Sequence, residues 1–264
     1  SDSKHNSVSM SPVLYWDDYG TADPNNETEG RQRGLTIYGI GVNDASTDVL
    51  DIDDSEGKCW DEYVWTLVSD QSEGWTSKDL ITSNNVVYSD DEEEDNAYKF
   101  SQREDGKLLE FTHAMSKITV NLKADAGFPK DDSDVPYFVA DPVVKVLPSY
   151  LSGTVNVFEA TTVVKTTEPK EPITLKQLTS VGKEDYTVSY DGLLNKFGDE
   201  DDILEILADG NRYYVKAKLI NNANTETDDK FERGKNYIFD IIVKKTEIKV
   251  VATVVEWVDV EAAA

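Results

Sequence analysis

Two histidines, one cysteine and 52 acidic side chains are the reactive groups of this 264-residue chain. His5 lies in a polar lead, Ser1–Ser9, and His113 stands between Phe111 and Ile118 in apolar surroundings. A Ser-His-Asp triad would have to use His113, and the chain has no Gly-x-Ser-x-Gly elbow to present the nucleophile. His113 is therefore expected to be a packed, hydrogen-bonded core residue. One Cys and two His do not make a zinc site. Cys59, beside Trp60, reads as a half-buried structural thiol, and a single cysteine permits no intrachain disulfide. Phosphate-cradling loops are absent as well, since Gly39 and Gly41 supply only the first two positions of a dinucleotide fingerprint. The acids are so many that paired carboxylates for glycosidase work carry no signal. Asp51-Ile-Asp-Asp-Ser-Glu-Gly57 resembles a calcium loop with Glu62 at its twelfth position, but glycine falls seventh where the loop needs it sixth. Asp90–Asp95, six acids in a row, reads as a solvated loop, with calcium binding as the rival. The five tryptophans are expected in the core, and a sugar-stacking platform is the alternative. No cofactor, metal or catalytic residue is expected, and the chain reads as a non-enzyme.

The elements that would position these residues are strands. A net charge of −26 repels phosphate backbones and anionic lipid heads, so nucleic acid and membrane surfaces are not expected partners. No apolar run approaches the ~20 residues of a membrane span. The chain opens at Ser1 without Met, as expected of a trimmed or mature protein whose export signal has gone. Short apolar or alternating runs appear at Ser11–Tyr15, Gly34–Val42, Val64–Val68, Val143–Leu147, Thr154–Phe158, Ile173–Leu175, Tyr186–Tyr190, Ile203–Leu207, Tyr213–Ile220, Tyr237–Val243 and Ile248–Trp257. Asp79–Ile81 reads as a single helical turn. In Leu108–Lys123 the apolar residues change parity, because Leu109, Phe111 and His113 share one face while Ile118, Val120 and Leu122 share the other. Either both faces are covered or a bulge near Met115–Lys117 shifts the register. Thr161–Pro172 reads as a linker, and Lys244–Glu247 as a tight hairpin turn. The spacing predicts an all-β chain of two β-sandwich domains, 1–165 and 166–264, with Tyr237 and Trp257 in the core of the second.

Several stretches resemble the fimbrillin-like (Mfa-like) family, whose members form or decorate type V pili. They are Tyr15–Asp17, Gly34-Leu-Thr-Ile-Tyr-Gly39, Trp75 with Asp79–Asn85, the Phe-x-His-x-x-x-Lys-Ile-x-Val run from Phe111 to Val120, and Gly234–Thr246 leading to Trp257. The resemblance implies transthyretin-like sandwiches, export as a lipoprotein anchored upstream of residue 1, and a cell-surface role in pilus assembly or adhesion. Implied partners are other pilus subunits and a host or bacterial surface receptor. In that family, protease removal of a first strand opens a groove that another subunit's strand fills. Here Ser11, Pro12, Val13, Leu14 and Tyr15 are the candidate displaceable strand, and Arg31 and Arg33 the candidate processing site. The alternatives are two solvated arginines in a loop and, for the whole chain, a surface glycan-binding module.

Overall fold

Alternating side chains decide the longest hairpin of the fold: Tyr237, Phe239, Ile241 and Val243 all face inward, each 1% exposed or less. The computed structural model describes residues 38–42, 61–83, 111–158, 161–164, 169–178, 188–195, 202–216 and 231–257. All but Tyr38 belong to one compact unit, Gly39–Asn84 with Phe111–Ala264. The strands in chain order are β1 Ile40–Val42, β2 Tyr63–Thr66, β3 Leu80–Ser83, β4 Phe111–His113, β5 Ser116–Ala124, β6 Val143–Tyr150, β7 Ser152–Asn156 and β8 Thr161–Val164. They continue with β9 Lys170–Thr174, β10 Lys176–Leu178, β11 Val188–Leu194, β12 Asp202–Ala208, β13 Asn211–Lys216, β14 Lys235–Lys244 and β15 Glu247–Glu256. The chain is all-β.

A five-stranded sheet, β10-β11-β5-β14-β15, faces a four-stranded one, β13-β12-β6-β9. Between them lie Ile118, Val120 and Leu122 of β5, the inward row of β14, Val144 and Val146 of β6, and Leu204 and Ile206 of β12. β14 runs parallel to β5 and antiparallel to β15. Two three-stranded sheets, β1-β3-β4 and β2-β7-β8, share a smaller core of Tyr63, Leu67, Trp75, Leu80, Ala114, Met115, Val155, Leu193 and Trp257. Leu193 lies on the face of β11 opposite Tyr190 and Leu194, so the small core also packs on the outer side of the large sheet. Ser189 to Leu194 are consequently buried on both faces.

The expected boundary at 165/166 is not followed by strand pairing. β5 pairs with β11 and β14, and β6 with β9 and β12, so each large sheet draws strands from both sides of it. The expected linker Thr161–Pro172 holds β8 and the start of β9. Pro172 is tolerated there because β9 is an edge strand and its register shifts between Val146 and Ser149 of β6. The helical turn falls at Thr76–Lys78 and is 3-10, while Leu80 and Ile81 are strand. The parity change at 114–116 is neither a bulge nor one doubly covered strand. The chain leaves the small β1-β3-β4 sheet at His113 and enters the large one at Ser116. Trp257 belongs to the small core, whereas Tyr237 belongs to the large one.

Candidate functional site

The last strand is the feature most suited to meeting another chain. Ten consecutive residues of β15 pair with β14 without a register shift, from Lys235↔Glu256 to Lys244↔Glu247. The turn between them lacks Gly and Asn, and Lys244 Nζ lies 2.8 Å from Glu247 Oε1 across it. That hydrogen bond, with the charge behind it, raises the Lys244 ammonium above its usual range and lowers the Glu247 carboxyl. Gly127 presses on the same turn, since a Cβ there would stand 2.8 Å from Lys245 Cβ.

Among the described residues β15 is the outermost strand of its sheet. Its inward residues Ile248, Val250, Ala252 and Val254 are only half-buried, although their neighbours on β14 are fully covered. Val251 and Val255 on the outer face are 53% and 40% exposed. The other edges of the large sandwich are blunted. β9 carries Pro172 and a register shift, β10 has three residues, and β13 carries Arg212 and Lys216 within its six residues. A long, regular edge rich in β-branched residues, with Lys249 its one charge between the end residues, is a template for a further strand.

The end of β15 is held by a buried polar and aromatic cluster. His113 Nδ1 lies 2.9 and 3.0 Å from the two oxygens of Asp79, a side chain with no exposed surface. With the Asp79 carboxyl as acceptor, Nδ1 is the donor of this pair. The imidazole stacks on the Trp257 indole with centroids 3.4 Å apart and planes 4° apart. Trp75 meets Trp257 edge-on at 5.8 Å and donates from Nε1 to Asp191 at 2.8 Å. Lys117 Nζ lies 3.5 Å from Asp191 and sits 5.0 and 5.7 Å from the Trp75 and Trp257 ring centres. Arg233 donates to Thr82 and Thr112 at 2.7 and 3.0 Å, and burial lowers its pKa to about 10, which leaves it charged at neutral pH. His113 thus sits as the sequence predicts, buried and hydrogen-bonded. Its partners Asp79 and Trp257 carry no sequence signal that links them to it.

The fimbrillin-like family model, Mfa_like_1, matches residues 43–257. The chain belongs to the fimbrillin-like family. A crystal structure of a candidate cell adhesion protein from Bacteroides uniformis aligns with this fimbrillin-like chain at 18% identity and a TM-score of 0.52, covering 75% of this chain and 67% of the other. That likeness speaks to the fold. A second candidate cell adhesion protein, from Bacteroides ovatus, aligns at 14% identity and TM-score 0.47, over 75% of this chain and 61% of its own. The tip fimbrial protein Mfa3 from Porphyromonas gingivalis, truncated at its C-terminus, aligns at 12% identity and TM-score 0.41, over 75% and 71%. No curated protein matches the sequence.

In this fimbrillin-like chain the candidate first strand Ser11–Tyr15 and the candidate processing residues Arg31 and Arg33 lie outside the described residues, as do Cys59 and Asp90–Asp95. Of the calcium-like stretch only Asp61 and Glu62 are described, both exposed. Among the described residues no three His, Cys, Asp or Glu are grouped to hold a metal ion. Trp75 and Trp257 are buried, and Trp65 is half-buried with Nε1 donating to Lys78 O at 2.8 Å. Trp16 and Trp60 lie outside the described residues.

Proposed function

We propose that this chain is a structural or adhesive subunit of a bacterial surface pilus that joins other pilus subunits by donor-strand exchange. The observation that carries the reading is the family match over residues 43–257. The long, regular edge of β15 supports it, because a ten-residue edge with half-covered apolar side chains gains both hydrogen bonds and burial from an added strand. In this scheme Ser11–Tyr15 is the strand that leaves, and cutting at Arg31 or Arg33 releases it. A lipid anchor upstream of residue 1 holds the precursor at the outer membrane, and a host or bacterial surface receptor is the external partner. The scheme gives the chain no catalytic role. Burial of Trp75 and Trp257 removes two of the side chains on which a glycan-binding reading would draw.

Limited digestion with an Arg-specific protease, followed by mass spectrometry and gel filtration, tests the exchange. Oligomers are expected only after a cut at Arg31 or Arg33, and none in the Arg31→Lys, Arg33→Lys double variant. A cut that leaves a stable monomer, or no cut there in the folded protein, overturns the exchange and leaves pilus membership to be tested by immunolabelled electron microscopy of the cell surface.

A further inference from the structure

An edge strand is hydrogen-bonded on one side only, so its end is where a sheet ordinarily frays first. At the end of β15 the structure does the opposite. Trp257, the next residue, is 8% exposed, and its backbone N–H donates to Gly234 O at 2.8 Å. Its ring is covered on one face by His113, which Asp79 fixes from the turn before β3. Gly234 N–H donates to Met115 O at 2.9 Å, and Arg233 reaches Thr82 of β3 and Thr112 of β4 from the same loop. The start of β14, the end of β15 and the β3–β4 pair are thus tied at one corner.

We infer that the His113–Trp257 stack is a latch that makes the end of β15 and the small sandwich open together. Lifting Trp257 out would remove one of the nine buried apolar side chains of the small core and uncover the imidazole that satisfies the buried Asp79 carboxylate. Opening β3 and β4 would in turn withdraw His113 and expose the indole. Neither part loosens without stripping the other. The latch holds the last strand in place whether or not strands are exchanged between subunits.

Native-state amide exchange on the full chain tests this. In the unaltered protein, amides at 254–257 are expected to share one opening rate with those of β3 and β4, slower than an edge strand's fraying. Trp257→Leu, which keeps apolar bulk but removes the stack, should speed both groups together by about ten-fold or more, leaving 119–121 and 189–191 unchanged. His113→Asn, which retains a donor for Asp79, should give the same pattern and serves if the leucine variant does not fold. Ends of β15 that exchange well ahead of β3 and β4 in the unaltered protein would refute the latch. So would a variant that speeds one group alone, or all amides equally.

Discussion

The two cores of this chain are stabilised by different physics. The large one, among the described residues, joins 23 buried side chains that are apolar or tyrosine, set by strict alternation along β5 and β14. The small one has nine and leans on His113, Asp79, Gln71 and Arg233 to close it. Gln71, fully buried, donates to Leu193 O at 3.0 Å and accepts from Leu193 N–H at 2.7 Å, standing in for a missing strand along β11. A large core tolerates imprecision because burial is non-directional, whereas a small one depends on contacts that are right only in one geometry.

Four measurements sharpen or break that contrast. Phe239→Ala empties the centre of the large core and should cost about 3–5 kcal/mol in urea unfolding. A loss as small as that of a surface change would mean that this core is loosely packed. His113→Leu keeps the volume but takes the imidazole hydrogen bond away from the buried Asp79 carboxyl, with an expected loss of about 2–3 kcal/mol. If the leucine variant matches the parent in stability, the small core is as non-directional as the large one. Gly210→Ala meets no neighbouring atom within 4 Å, but Gly210 has φ +80°, so the loss should be about 1–2 kcal/mol from backbone strain alone. Tyr237→Phe should be the mildest at neutral pH, about 1 kcal/mol or less, because the Glu232 N–H loses its 2.7 Å acceptor. Burial pushes the Tyr237 phenol up to about 12. Its folded pKa therefore exceeds the unfolded value of about 10, so the stability that comes from burying the neutral phenol is intact below pH ~10 and lost as pH rises through about 12. Over that interval the parent's urea midpoint should fall toward the variant's and then below it, and a constant gap would show an exposed phenol.

The large core was legible because period-two alternation needs no knowledge of the partner. Tyr237, Phe239, Ile241 and Val243 announce their face, and the β14–β15 hairpin follows from the short Lys244–Glu247 connection. The parity change near Met115 was visible too, but its cause was not, because a bulge and a passage between sheets leave the same trace in sequence. Pro172 and the charges around it suggest a linker, although an edge strand at a register shift accepts the same residues. Asp209-Gly210, both with positive φ, close the β12–β13 hairpin and were a readable turn signal lying between two predicted strands. The His113 cluster was legible only as one buried histidine. Asp79 lies 34 positions away, and Gln71 and Leu193 are 122 apart, distances over which no local pattern pairs them.

The placement of β5 has a consequence for how the chain is made. This strand lies between β11 and β14, and Asn121 bonds Asp240, 119 residues later. During synthesis an apolar segment therefore emerges long before either neighbour exists. Such high contact order slows folding and leaves sticky backbone exposed meanwhile. A chain wired this way cannot complete its large sandwich until β14 and β15 have been made.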